Sequence, residues 1–160
     1  MREFEDIFSE LQADMISICM EYVEDRADKV YVYASCEEGI ISSSFFYLIN
    51  NKYVKSHKLN DALENGEERY DVSAGRGFMV LDIINENTEK IKVLCKEYER
   101  DMPTEMKLIY DVKSGNFKAE YKYDLVYTND DIKTAHHIAN EWFEELKITT
   151  FKLFPVKDML

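Results

Sequence analysis

The sequence contains little glycine and proline, with five Gly and two Pro in 160 residues. This scarcity excludes a collagen-like repeat and leaves little room for a long flexible linker or a low-complexity region. No apolar run reaches the roughly 18 residues of a membrane-spanning helix. The first ten residues carry four acids, whereas a signal peptide begins with a basic segment. We therefore expect a single cytoplasmic domain over residues 1–160, long enough to bury a hydrophobic core.

Cysteine is equally scarce, and its spacing indicates no special chemistry. Cys19, Cys36 and Cys95 lie far apart, without a C-x-x-C pair or a Cys/His cluster at zinc-binding intervals. Such a pattern favours neither a disulfide framework nor a zinc site. Since free cysteine behaves mainly as a small buried hydrophobe, we predict three reduced thiols in the core. We expect no metal and no cofactor.

Basic residues are outnumbered, since 20 Lys and Arg stand against 32 Asp and Glu and give a net charge of −12. An electrostatic field of this sign repels nucleic acids and anionic membranes, and it attracts basic partners. An acidic surface also keeps many ordinary cytoplasmic proteins in solution. The charge therefore excludes more functions than it identifies.

Apolar residues recur at steps of three and four in three segments, which predicts three helices. The first spans Arg2–Ala27, and the second runs from about Phe78 to Arg100. The third begins in "TNDDIKTAHHIANEWFEELKI", where Thr128 and Asp131 resemble a capping box. The sequence leaves open whether the tail after this helix adds a strand or lies along the surface. The predicted buried stripe of the third helix consists of Ile132, Ala135, Ala139, Trp142, Phe143 and Leu146.

Alternation of apolar and polar residues predicts five strands. Three lie in "KVYVYASCEEG", "IISSSFFYLINN" and "KYVKSHKL", joined by turns at Glu37–Gly39 and Asn50–Asn51. The other two form a hairpin in "MKLIYDVKSGNFKAEYKYD", whose apolar and charged faces are typical of a sheet covered on one side. The connections are too short for parallel crossovers. We predict one α+β domain with an antiparallel sheet of about five strands and helices packed on it, in the order α-β-β-β-α-β-β-α.

Patterns that carry catalysis are weak in this sequence. His57 lies in a predicted strand without a nearby cysteine, and the adjacent His136 and His137 point about 100° apart on a helix. His137 and Glu141 have a spacing that permits a shared metal, but the H-E-x-x-H pattern is absent. Paired carboxylates lie in polar segments that we expect to be solvated, whereas a catalytic carboxylate needs burial or a specific partner to shift its pKa. The residues therefore favour a binding module over an enzyme.

Two stretches resemble a known protein family. "KVYVYASCEEG" matches a V-Y-x-Y-A strand that follows a first helix, and the later hairpin matches the pattern L-x-x-D-x-x-G-x-F-x-x-x-Y-x-Y-D. Over roughly Phe4 to Trp142 the chain resembles the YezG-like immunity or antitoxin proteins of bacterial polymorphic toxins. It departs from them at Ala27 and at Pro103-Thr104, where family members often carry Trp and Pro-Trp. The hairpin residues that carry the resemblance are Leu108, Asp111, Ser114, Gly115, Phe117, Tyr121, Tyr123 and Asp124.

The resemblance implies a cytoplasmic antitoxin that binds a cognate secreted toxin, often a nuclease, in a one-to-one complex and needs no catalytic residue. The composition agrees, because a nuclease presents a basic surface to phosphates and an acidic inhibitor is steered onto it. Tyr31 and Tyr33 are either aromatic anchors of the interface or residues that a helix covers. We expect the contact surface to consist of clustered, exposed acids, namely Glu37, Glu38, Asp61, Glu64, Glu67, Glu68 and Asp71.

A small-molecule-binding or enzymatic α+β domain, with its site scattered along the chain, is the alternative. A polar pocket that contains His57, or His136 and His137, would favour this alternative. A filled core beneath the sheet and an open acidic face would favour the antitoxin. A regulatory subunit of a larger assembly is a third possibility and differs mainly in its partner.

Overall fold

The computed structural model describes residues 2–153, and it confirms the predicted α+β fold and order of elements. A 3₁₀-helix that the sequence does not predict follows the third strand. The elements in chain order are α1 (Phe4–Tyr22), β1 (Lys29–Glu37), β2 (Ile40–Ile49), β3 (Lys52–Lys55), the 3₁₀-helix (Ser56–Ala62), α2 (Ala74–Glu97), β4 (Glu105–Asp111), β5 (Phe117–Lys122) and α3 (Ala135–Leu153).

Strand β1 lies at the centre of a five-stranded sheet with the order β3-β2-β1-β4-β5. It pairs antiparallel with β2 along its whole length, from Lys29 opposite Leu48 to Glu37 opposite Ile40. On its other side it pairs antiparallel with β4, and β5 completes the sheet as the second strand of the predicted hairpin. Every residue of β1 after Lys29 is buried. Neighbours on both sides and on both faces explain this burial.

Helices cover both faces of the sheet, so the prediction of a sheet covered on one side is wrong. Helices α1 and α2 pack on the face that carries Val30, Val32 and Ala34. Helix α3 packs on the opposite face, where Tyr31 lies against Trp142 with 5.7 Å between the ring centroids. Burial of each large apolar side chain stabilises the fold by about 1.5–3 kcal/mol. A helix thus covers Tyr31 and Tyr33, which are 2% and 1% exposed.

Two hydrogen bonds join buried polar groups of different layers, whereas the Tyr33 hydroxyl and Glu105 Oε1 are buried without a partner among the described residues. The Tyr47 hydroxyl donates to the carbonyl oxygen of Cys19 over 2.6 Å, and the Gln12 amide donates to the Tyr121 hydroxyl over 2.7 Å. The three cysteines are free and buried, as predicted. Burial raises the pKa of the Cys19, Cys36 and Cys95 thiols. These thiols therefore stay protonated and serve as packing residues.

Several predicted boundaries are wrong. Helix α1 ends at Tyr22 and α2 at Glu97, several residues earlier than predicted, and β3 ends at Lys55. Helix α3 begins at Ala135 rather than near Thr128, and Ile132, placed in its buried stripe, is 81% exposed. Of the C-terminal tail, residues 149–153 continue α3, and the remainder lies outside the described residues. No helix in the described part of the chain combines the length and apolarity required to cross a bilayer.

Candidate functional site

The acidic loop between the 3₁₀-helix and α2 has an irregular backbone that side chains hold in place. The Asn60 side chain forms two hydrogen bonds with the backbone of Tyr70. Its Oδ1 accepts from the Tyr70 N–H over 2.8 Å, and its Nδ2 donates to the Tyr70 carbonyl over 3.1 Å. Arg26 donates to the Glu68 carbonyl over 2.7 Å, and its guanidinium lies 3.9 Å from the centre of the buried Tyr70 ring. The loop is therefore a fixed platform for its carboxylates.

Two carboxylates of this loop accept hydrogen bonds that favour their ionised form. Glu67 Oε1 accepts from the Glu64 N–H and from the Asn50 side-chain amide, each over 2.7 Å, and these bonds lower the Glu67 pKa. The Asp71 carboxylate accepts from the Ser73 N–H over 3.0 Å, which lowers the Asp71 pKa. Both groups carry full negative charge at neutral pH.

Two further acids, absent from the predicted site, join the loop in space. Glu24 forms an ion pair with Arg26, with 3.4 Å between the charged atoms, and Asp28 Oδ2 accepts from the Asn50 N–H over 2.9 Å. Arg26 and Asn50 thus tie the segment after α1 to the loop. We refer to the exposed acids gathered here as the acidic end, which consists of Glu24, Asp28, Glu64, Glu67, Glu68 and Asp71.

The other predicted contact residues do not join this surface. Glu38 is exposed, but its turn precedes β2 whereas Asn50 follows it, and a strand of ten residues spans about 30 Å. Asp61 is exposed on the 3₁₀-helix, where it lines a cavity together with Lys52, Lys58 and other basic residues. The predicted surface is therefore divided, and only its loop acids beyond Asp61 lie together.

The expected exposure of Glu37 is wrong, because this side chain is 1% exposed. Its carboxylate accepts from the backbone N–H groups of Val126, Tyr127 and Thr128 over 3.0, 3.3 and 3.0 Å, and from the Thr128 hydroxyl over 2.6 Å. Desolvation by burial alone raises the Glu37 pKa, but these four hydrogen bonds outweigh it, and the net pKa is lowered. Glu37 therefore anchors the segment that leads into α3 and is not available to a partner.

A second candidate site is a cavity of about 230 Å³ between β2, the start of the 3₁₀-helix and α3, lined by both polar and apolar side chains. His57 and His136 both line it, although 78 residues separate them in the sequence. His137 does not line it: its Nδ1 instead accepts from the Thr134 N–H over 3.0 Å at the start of α3. Within the described residues no group of three or more His, Cys, Asp or Glu side chains is placed to hold a metal.

Comparison with known proteins gives no relative. No family model matches the chain, and no curated protein matches its sequence. The resemblance to the YezG-like proteins therefore stays a prediction. The structure contains a continuous cluster of buried residues beneath the sheet, an exposed acidic end, and a separate cavity of mixed polar and apolar lining that contains His57 and His136.

Proposed function

We propose that this chain is a toxin-neutralising immunity protein that binds a cognate basic toxin domain, one to one, through the acidic end. A nuclease is the toxin class that the charge favours, because an enzyme that attracts phosphates presents a basic surface. In this proposal the chain has no catalytic residue and acts in the cytoplasm. It inhibits by covering the toxin's surface with a shape and charge that fit.

The observation that carries this proposal is the placement of six exposed carboxylates on a backbone fixed by Arg26, Asn50 and Asn60. A fixed loop loses little conformational entropy on binding, so more of the interaction energy remains as affinity. A single-sign surface of this kind accelerates association with an oppositely charged partner by about 10- to 1,000-fold. Rapid capture is what neutralisation of a toxin requires.

The resemblance of the β4–β5 hairpin to the YezG-like pattern supports the proposal from a separate direction. In the structure Leu108 is fully buried, and the Ser114 N–H donates to the Asp111 side chain over 3.0 Å in the turn. Leu108, Asp111 and Ser114 therefore have structural roles in this hairpin, and the proposal assigns partner binding to the acidic end.

Co-expression with a candidate toxin domain, the C-terminal domain of a large protein encoded next to this chain, tests this function. We expect the chain to restore growth of cells that express the toxic domain, and to co-purify with it at low salt but less at high salt. Ion pairs at an exposed interface weaken as the salt concentration rises. Continued toxicity without complex formation would refute the pairing and the function proposed for it.

A small-molecule-binding domain is the alternative, and one observation favours it. The cavity that contains His57 and His136 combines apolar and aromatic side chains with a few polar ones, as sites for small molecules do. The two functions concern different surfaces, because the acidic end and this cavity share no residue. Ligand binding in the cavity can therefore be measured without the toxin.

A further inference from the structure

The cavity that contains His57 and His136 lies at an open edge of the sheet. Strand β3 pairs only with Phe46–Ile49, so in the described sheet the first half of β2 has no neighbouring strand on that side. The two-residue turn Glu38–Gly39 makes Glu37 and Ile40 a hydrogen-bonded pair, and bonding alternates along the strand. The backbone groups of Ser43 and Phe45 therefore point away from β1, toward the cavity that both residues line.

The polar side chains that line the cavity are basic or neutral, and they lie among the apolar side chains of Phe45, Phe46, Leu81, Ala139 and Phe143. Lys55, His57 and His136 line it, and no Asp or Glu does so among the described residues. This is unexpected in a chain with 32 acids and 20 Lys and Arg. The Lys55 ammonium is held by Asn140 Oδ1 at 2.5 Å, which uses one of its three donors and leaves two for a ligand.

The basic surface continues past Lys55. A neighbouring cavity of about 530 Å³ shares Lys55 and Phe143 with the first, and it adds Lys52, Lys58 and Lys147 with Asp61 as the acid in its lining. Lysines on an edge strand often prevent association between sheets. That role does not account for the inward hydrogen bond of Lys55 or for the two histidines beside it.

We propose that the cavity that contains His57 and His136 binds the phosphate group of a small molecule. Lys55 supplies the positive charge and two N–H donors, and the imidazoles of His57 and His136 and the hydroxyl of Ser44 supply further donors at its wall. Its volume of about 230 Å³ lies below the roughly 300–1,000 Å³ of pockets for drug-sized ligands. The cavity therefore suits a phosphate with a short organic group, for which the Phe143 ring forms an apolar wall.

Phosphate titration of the whole chain, followed by NMR, tests this proposal. Spectra are recorded at about 0.15 M salt, where the Debye length of about 8 Å screens the distant acids. We expect inorganic phosphate to shift the imidazole signals of His57 and His136, and to leave those of His137 unchanged. The natural ligand is either an organic phosphate ester or free phosphate, and glycerol phosphate, a monoester, distinguishes the two. Tighter binding of glycerol phosphate than of inorganic phosphate indicates an organic ligand, and equal binding indicates free phosphate.

Substitutions of Lys55 and of the distant Lys113 test whether phosphate binds at the cavity. We expect Lys55→Gln to weaken phosphate binding by about tenfold or more, since a charged hydrogen-bonding group is lost. Lys113→Gln, in the exposed turn between β4 and β5, removes the same charge at a distant place and should leave binding unchanged. Lys55→Arg, which keeps the charge, should retain most of the affinity.

Two results would overturn the proposal. One is the absence of imidazole shifts with either phosphate compound in a folded protein. The other is an equal loss of affinity in Lys55→Gln and Lys113→Gln, which would mean that phosphate responds to net charge alone. Dispersed amide spectra of each variant confirm that it is folded.

Discussion

At the scale of single residues, two neighbouring glutamates have opposite environments. Glu37 is buried and accepts four hydrogen bonds, whereas Glu38 is exposed in the following turn. The sequence predicts both as turn residues, because "CEEG" contains no sign of donors that lie about 90 positions later in the chain. Burial of an acid of this kind depends on tertiary contacts and cannot be predicted from local pattern.

Glu37→Gln should destabilise the protein at pH 7 by about 1–3 kcal/mol, because a charged acceptor of buried donors is lost. The folded-state pKa of Glu37 is lowered, so the unfolded chain binds the proton more readily. The contribution of Glu37 to the free energy of unfolding is therefore present above the pKa of about 4.3 that a glutamate has in the unfolded chain. This contribution is lost as the pH falls through the lower pKa that Glu37 has in the folded protein.

Urea unfolding between pH 7 and pH 3 measures this effect, with Glu38→Gln as the matched control. We expect the free energy of unfolding of wild type and Glu38→Gln to fall together on acidification, and that of Glu37→Gln to fall less. Parallel curves for all three proteins would contradict the role assigned to the buried carboxylate.

At the scale of elements, the C-terminal ends of α1 and α2 explain two of the boundary errors. After α1 the Asp25 N–H donates to the Met20 carbonyl over 3.0 Å, and after α2 the Arg100 N–H donates to the Cys95 carbonyl over 2.8 Å. Both endings place a glutamate in the left-handed region, with φ of 55° at Glu24 and 54° at Glu99. Glycine is the usual residue there. Since glycine is absent from these positions, the sequence does not show where either helix stops, and both ends are predicted several residues too late.

Glu99→Gly should raise the free energy of unfolding by about 1 kcal/mol, because glycine adopts this left-handed conformation without the steric cost that a side chain incurs. Glu89→Gly is the matched control on the exposed side of the same helix, and it should lower stability by about 1 kcal/mol. Thermal or urea unfolding of both variants measures whether each substitution raises or lowers the free energy of unfolding. Destabilisation by both substitutions would contradict this account of the helix end.

At the scale of the whole molecule, the spacing of apolar residues and the residue types in the turns are sufficient to predict the fold class and the order of elements. The tight turns at Glu38–Gly39 and Asn50–Asn51 fixed two hairpins. The second layer on the sheet was missed, since the charged face of the predicted hairpin suggested solvent. The acidic end was predicted in part: its loop is a local cluster, but Glu24 and Asp28 reach it only through Arg26 and Asn50.

Charge reversal tests the acidic end as a surface. Glu64→Lys combined with Glu68→Lys should slow association with the cognate toxin by about tenfold and reduce its dependence on salt, because both acids are exposed and steer the basic partner. Glu67 is left in place, since its carboxylate bonds to Asn50 and to the Glu64 N–H. Stopped-flow or surface-binding kinetics at two salt concentrations give the association rates.

Glu89→Lys combined with Glu97→Lys is the control, with an equal change in charge. Both residues are exposed in the C-terminal half of α2, about 20 Å or more along the helix from its start beside the loop. Equal slowing by the two double variants would show that net charge, and no particular surface, guides the toxin.

The central position of β1 has a consequence for how the chain folds during synthesis. One neighbour, β2, follows directly, but the partner residues in β4 lie roughly 70 to 80 positions downstream in the sequence. Until the ribosome has released β4, the most buried strand of the folded protein has an unpaired edge. Exposed edges of this kind are where nascent chains associate. Completion of the sheet is thus a late event in synthesis, because the strand that covers the second edge of β1 is made after two helices and three strands.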